Sequence, residues 1–175
     1  MMIKKLLLCC LVLGTATTKT TIAQIEEEIK TAGQIYAYAQ IHGDHEVLLD
    51  FTYPVLIEKI GGRSAMKNML AQIHETQKAN GQQLTSLKIS DPIQSVRVKD
   101  EIHAIVPIVT TTAVPGGTLI TEGNLIAVGT HNRQNWYFIE TTSLDERNIT
   151  KVLPLWNHSL TLPFKRPPVF KEHEP

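Results

Sequence analysis

The chain has 175 residues, with seventeen basic residues balanced by seventeen acidic ones. A neutral chain without a basic cluster predicts no nucleic-acid partner, and its 42% apolar composition is typical of a soluble globule. This length suffices for one domain that buries about 68–70% of the surface of its unfolded chain.

The N-terminal residues have the pattern of a secretory signal peptide. Lys4 and Lys5 precede an apolar run at residues 6–13, which is too short to span a bilayer. We predict that residues 1–23 are removed by a cut between Ala23 and Gln24. The mature chain is then expected to be periplasmic or extracellular, with no membrane attachment.

Both cysteines, Cys9 and Cys10, fall within this segment. A lipid anchor through either cysteine is an alternative, but lipid attachment requires small residues before the cysteine, and Leu8 is large. The mature chain has no cysteine, which excludes disulfides and thiolate metal sites.

The formal charge of the mature chain is −3, because three of the lysines leave with the signal. We expect no cofactor.

Three helices are predicted in the first half of the chain. Residues 24–41 carry apolar side chains at spacings of three and four. Asp44 is expected to cap a short second helix that contains Phe51. A third helix follows Gly61 and Gly62, and its apolar stripe contains Met66, Met69, Leu70 and Ile73. Between the second and third helices, residues 53–60 alternate in polarity and are predicted to form a strand.

The stretch from residue 101 to residue 112 is predicted to be the central strand. Its residues are apolar on both faces through the middle, a pattern typical of a strand covered on both sides. Pro107 lacks a backbone N–H, so we expect it at a bulge or an edge.

The second half of the chain predicts an antiparallel meander. Strands are expected at 84–90, 95–112, 118–130 and 135–142, with turns at 99–100, 114–117 and 131–135 and no helix between them. Residues 143–175 contain several prolines. After a short helical turn near residues 146–152, this extension is expected to run extended over the surface and to pack on the domain. The whole pattern predicts an α+β domain at 24–142 with a C-terminal extension.

This order of elements resembles the nuclear transport factor 2-like superfamily. The resemblance rests on the segment YPVLIEKIGG at 53–62, the following helix RSAMKNMLAQ, and the segment GNLIAVGTHNRQNWYFIE at 123–140. It implies a curved sheet wrapped around helices into a cone with a pocket at its open end. It also implies a likeness to SnoaL-like and small secreted members without an assigned activity, and a homodimer formed through the outer sheet face.

The resemblance implies that polar residues near the cone interior line the pocket. The candidate ligand-pocket residues are Tyr36, Asp50, Tyr53, His103, Trp136 and Glu140. In related isomerases and cyclases a carboxylate base works beside a tyrosine or acid donor. No residue of this chain aligns with such a base, so catalytic residues stay unassigned.

Several of these residues also have a simpler structural interpretation. His103 either lines the pocket with Glu101 and Glu140 or is a satisfied histidine at a sheet edge. Glu140, if enclosed beside Trp136 and Phe138, would have a raised pKa, as a catalytic acid does. The alternative is a charged residue at the strand end, in water.

A local cluster of His42, Asp44 and His45 straddles the helix break at Gly43. It therefore lacks the rigid helical face on which imidazoles bind metal together, and no metal site is predicted. No nucleophile elbow or phosphate-binding loop occurs in the sequence.

Two functions follow from the sequence. The first is binding of a small, largely apolar ligand, or of a protein partner, without catalysis. The alternative is an enzyme similar to ketosteroid isomerases and polyketide cyclases, with a carboxylate base and a tyrosine donor. A carboxylate and a tyrosine hydroxyl that converge on one point of a closed pocket would favour the enzyme.

Overall fold

The computed structural model describes residues 22–130, 135–142 and 144–173. It has an α+β architecture in which N-terminal helices pack against a strongly curled antiparallel sheet resembling half a barrel. The helices are α1 (Ile22–His42), α2 (His45–Asp50), α3 (Pro54–Ile60), α4 (Arg63–Ala79) and α5 (Ile149–Val152). The strands are β1 (Gln83–Ile89), β2 (Gln94–Val98), β3 (Glu101–Val114), β4 (Gly117–Thr130), β5 (Trp136–Glu140) and β6 (Val169–Glu172).

The three predicted helices are confirmed as α1, α2 and α4. The apolar stripe of α1 buries Ile29, Tyr36 and Ala39 against the sheet. The predicted cap of α2 is also present, since the carboxylate of Asp44 accepts a hydrogen bond from the Val47 N–H at 3.2 Å. No described helix is long and apolar enough to cross a membrane.

The strand predicted at 53–60 is wrong, because Pro54 to Ile60 form helix α3. Pro54 occupies the first helical turn, where its missing N–H costs nothing. Gly61 ends the helix in the left-handed conformation, at φ 102°. The Gly62 N–H donates to the Ile57 carbonyl at 2.8 Å and the Gly61 N–H to the Glu58 carbonyl at 3.0 Å, which is the Schellman arrangement. These end signals outweigh a polarity alternation over only a few residues.

Two long strands, β3 and β4, form the centre of the sheet. They pair antiparallel over their full length, from Glu101 opposite Thr130 to Val114 opposite Gly117. β1 and β2 both lie along the outer edge of β3, whereas β5 and β6 both lie along the outer edge of β4. The sheet is therefore antiparallel as predicted, but it is not a simple meander, and its sixth strand comes from the C-terminal extension.

Pro107 lies where one edge of the ladder is interrupted. The Pro107 carbonyl accepts a hydrogen bond from the Ser90 N–H at 3.0 Å, so its backbone nitrogen also faces the β1 and β2 side. On that side β1 pairs up to Ile108 and β2 begins opposite Ile105. The missing N–H therefore faces the gap between two short strands, and no ladder bond is lost.

The sheet is covered on both faces, as the apolar pattern of β3 predicts. The helix-side cluster joins α1 and α2 to one face and contains Ile29, Tyr36, Ala39, Leu48, Ile102, Ala104, Val106, Leu125, Ala127, Trp136 and Phe138. The C-terminal cluster covers the other face and contains Tyr53, Ile105, Ile126, Val128, Ile139, Leu144, Ile149, Leu153, Trp156 and Leu160. Residues 144–160 therefore serve as the second layer over the centre of the sheet.

Candidate functional site

The pocket candidates of the sequence divide between the two faces of the sheet. Side chains alternate along a strand, and this parity places Trp136 among the helix-side cluster. Glu140, at the same parity of β5, meets Tyr36 of α1. Tyr53 belongs to the C-terminal cluster, and His103 shares the parity of Ile105 on that face. The candidates consequently do not form one pocket.

A groove of about 500 Å³ lies between α1, the end of α2 and the start of β5. It is lined by Gln24, Glu27, Glu28, Thr31, Ala32, Ile35, Asp50, Phe51, Asn135 and Trp136. The contributions of α1 run from Gln24 to Ile35, which at 1.5 Å per residue is a length of about 16 Å. Of the sequence candidates, Asp50 and Trp136 line this groove.

The inner wall of the groove is positioned by a backbone hydrogen bond between α2 and β5 and by the close packing of Trp136 on Gly129. The Phe138 N–H donates to the Phe51 carbonyl at 2.8 Å, which ties the end of α2 to β5. Trp136 packs directly over Gly129, where an added Cβ would lie 2.7 Å from the indole ring. Only glycine admits the ring at this distance, so Gly129 is part of what positions Trp136.

Asp50 lies at the solvent-exposed rim of the groove. Its carboxylate forms an ion pair with Arg63 of α4 at 2.8 Å, and its side chain is 67% exposed. Glu46 of α2 completes this network through Arg63 and Lys67. Asp50 is therefore hydrated and paired, unlike a carboxylate base withdrawn from water.

Tyr36 and Glu140 form a hydrogen-bonded pair outside the groove lining. The Tyr36 hydroxyl donates to Glu140 Oε1 at 3.1 Å and accepts from the Gln40 amide at 2.8 Å. Burial, together with the charge of Glu140, raises the pKa of Tyr36 well above its ordinary value. Glu140 itself is exposed, which agrees with the alternative of a strand-end charge in water and not with an enclosed acid.

A second polar group lies on the opposite face. Glu101 accepts hydrogen bonds from the Tyr53 hydroxyl at 3.2 Å and from His103 Nε2 at 2.8 Å. Because an ionised carboxylate only accepts, we assign the ring proton of His103 to Nε2. His103 is fully buried, and its Nδ1 has no hydrogen-bond partner among the described residues. Burial, then Glu101, raises the pKa of Tyr53 to about 12.

His103 thus lies beside Glu101, as one expectation required, but on the other face of the sheet from Glu140. The three residues do not share a pocket. The alternation of β3 indicates only that His103 shares a face with Ile105, whereas the pairing of β3, β4 and β5 decides that this is not the face of Glu140. What the sequence did not reveal is that residues 144–160 cover that face, because their packing partners lie far away along the chain.

The histidines of α1, α2 and α4 make ring contacts with neighbouring side chains. His42 stacks on Tyr38 with ring centroids 3.9 Å apart, and its Nδ1 lies 2.8 Å from the Tyr38 carbonyl. His45 meets His74 edge to face at 5.7 Å. Within the described part of the chain, no group of three or more histidine, cysteine or acidic side chains is placed to hold a metal ion.

Several residues of the groove were not singled out from the sequence. Glu27, Glu28 and Ile35 lie along the flank of α1, beside its buried stripe rather than within it. Their spacing along α1 would have indicated that they share one side of the helix, but not which residues line the rest of the groove.

Comparison with family models, curated proteins and solved structures found no match to this chain.

Proposed function

We propose that this protein is an exported, single-domain binding protein that holds a small, largely apolar molecule without catalysis. The groove of about 500 Å³ between α1, α2 and β5 carries the proposal, because clefts of this size accommodate small ligands. The curled sheet around helices is compatible with a nuclear transport factor 2-like cone, and membership of that superfamily is part of the proposal.

The groove offers apolar contacts on two of its walls. Ala32 and Ile35 line it from α1, and Phe51 and Trp136 line it from the end of α2 and the start of β5. Aromatic rings supply large contact areas with little loss of conformational freedom. The carboxylates of the lining can bond polar groups of a ligand at the rim, which suits a molecule that is apolar along its body.

The alternative, an isomerase or cyclase, has less support. Its favourable observation is that a tyrosine hydroxyl and a carboxylate meet, at Tyr36 and Glu140. Their hydrogen-bonding capacity is directed at each other, and neither lines the groove. A catalytic pair would instead converge on a substrate atom in a closed pocket.

Binding can be tested with the uncharged fluorescent probe N-phenyl-1-naphthylamine. We expect saturable binding that also changes the emission of Trp136, observed in a Trp156→Phe variant where it is the remaining tryptophan. Ile35→Ser should weaken binding about tenfold, since roughly 1.4 kcal/mol of apolar contact is lost.

Tyr38→Ser is the matched control for this substitution. Tyr38 and Ile35 are both exposed apolar residues of α1, at 63% and 49% exposure, but only Ile35 lines the groove. Tyr38→Ser should leave the affinity unchanged. Equal weakening by both substitutions, or no saturable binding by the parent protein, would contradict the proposed groove.

Export and self-association are proposed with the binding function. Export predicts that mass spectrometry of the secreted chain finds a new N-terminus at Gln24, and an intact Met1 would exclude it. A homodimer through the outer sheet face stays a prediction. Residues 144–160 already cover part of the sheet on that side, so a dimer would have to use the rest, and light scattering would measure its mass.

A further inference from the structure

Gln24 lies at one end of the groove, in the first turn of α1. It is exposed, as are Ile22 and Ala23 before it. Contact with the core begins at Ile25, which packs against the helix-side cluster, and is complete at Ile29, which is fully buried. Ile22 and Ala23 therefore contribute no buried side chain, and the helix is anchored to the core from Ile25 onward.

We propose that Gln24, as the first residue of the exported chain, is converted to pyroglutamate, so that the groove ends in a neutral lactam instead of an ammonium group. This inference rests on the proposed export and on the cut after Ala23. The cut gives Gln24 a free α-amine and a side-chain amide on the same residue, in an exposed position.

The reaction needs no cofactor. The neutral α-amine of Gln24 attacks its own side-chain carbonyl carbon, and a bond forms between the backbone nitrogen and Cδ. The bond between Cδ and Nε2 breaks, and a proton from the α-amine leaves with Nε2 as ammonia. An ordinary α-amino group has a pKa of about 7.7–8.0, so on the order of a tenth of it is the neutral nucleophile at neutral pH.

The surroundings of Gln24 determine the consequence. An α-ammonium group at the start of a helix opposes the helix dipole, which favours negative charge there. The same ammonium would partly neutralise Glu27 and Glu28, which line the groove beside it. Cyclisation removes this cation and leaves the two carboxylates as the charged groups at that end of the α1 wall.

The test uses the full precursor with its own residues 1–23, exported by the cell and purified. We expect an intact mass lower than that of residues 24–175 by one ammonia, and a terminus resistant to Edman degradation. Treatment with pyroglutamyl aminopeptidase should then expose Ile25. An exported chain that begins with unmodified Gln24 would overturn this inference and leave the proposed export standing.

Gln24→Ala is the matched control, because alanine cannot cyclise. The Gln24→Ala protein should keep its ammonium and focus at a higher isoelectric point than the parent chain. Equal isoelectric points for the two exported chains would contradict the cyclisation. A terminus at another residue would overturn both the cut and the modification, whereas binding of the naphthylamine probe tests the groove separately.

Discussion

Each of the two buried tyrosine hydroxyls donates to one carboxylate, and this pairing defines the polar chemistry of the molecule. Tyr36 donates to Glu140 on the helix side, and Tyr53 donates to Glu101 on the other. A phenol in an apolar cluster needs a partner, since an unpaired buried hydroxyl costs free energy. Both pairs are thus explained as satisfied core tyrosines.

The raised pKa values of Tyr36 and Tyr53 predict a loss of stability at alkaline pH. The folded state holds both protons more tightly than the unfolded chain, whose tyrosines titrate near 10. The free energy of unfolding should therefore be constant with respect to these groups below about pH 10, and fall as pH rises toward 12.

Tyrosinate absorbance and urea unfolding as functions of pH measure these two effects. Tyr53→Phe should remove a late step near pH 12 from the absorbance curve. If the Tyr53→Phe curve coincided with that of the parent protein apart from one fewer ordinary tyrosine, the pairing of Tyr53 with Glu101 would be refuted.

Glu101→Ala should destabilise the protein by about 1–3 kcal/mol, because it leaves buried donors of His103 and Tyr53 unpaired. Urea unfolding measures this change. Glu140→Ala is the comparison, since it also removes the acceptor of a tyrosine. Its effect should be smaller, because Glu140 is exposed and its removal leaves one buried donor unpaired, the Tyr36 hydroxyl, instead of two. The reverse order of the two effects would contradict the assignment.

At the scale of elements, end signals decide the identity of α3. Residues 53–60 alternate in polarity like a strand, yet Pro54 starts a helix and Gly61 ends it.

The short strand β6, at the edge of the sheet, has features that prevent it from pairing with a strand of another molecule. All four of its residues are exposed, and it carries Lys171 and Glu172 after a pair of prolines. These features disfavour pairing with another chain.

Gly61→Ala should cost about 1 kcal/mol, because φ at this position is 102° and a Cβ is strained there. Gly123→Ala is the control within a strand. Its added Cβ would lie 3.6 Å from Ile108 in ordinary contact, and its φ is not in the left-handed region. Thermal melting of both variants measures the difference, and an unchanged melting temperature for Gly61→Ala would count against the Schellman ending of α3.

At the scale of the whole molecule, the chain after β5 completes the core. Leu144, Ile149, Leu153, Trp156 and Leu160 pack on the sheet face opposite α1 and α2. Ile105 and Ile126 are fully buried at the centre of that face. The helical turn expected near residues 146–152 is present as α5. The expected surface path describes residues 164–173, which are exposed, but understates the buried packing of Leu153, Trp156 and Leu160.

Two truncations separate these parts of the C-terminal segment. A chain that ends after Leu162 should still unfold cooperatively, because it keeps the C-terminal cluster and loses β6 and the segment that leads to it. A chain that ends after Thr142 should lose its cooperative transition, since it exposes the C-terminal cluster to water. Circular dichroism during urea unfolding distinguishes them. A cooperative transition in the shorter chain would show that the cluster is dispensable.

Features that depend on neighbours along the chain were predictable from local sequence patterns. The period of α1, the cap at Asp44, the glycines before α4 and the two apolar faces of β3 were all predicted from local patterns, because each expresses the geometry of one element. The parity of β5, which places Glu140 with Trp136 and Phe138, was equally visible.

Contacts between distant parts of the chain became known from the folded structure. It separated His103 from Glu140, placed β1 and β2 on one edge of β3, and brought the flank of α1 opposite Phe51 and Trp136. These relations join residues distant along the chain. The burial of apolar surface that brings them together has no direction, so no local pattern specifies which partner is chosen.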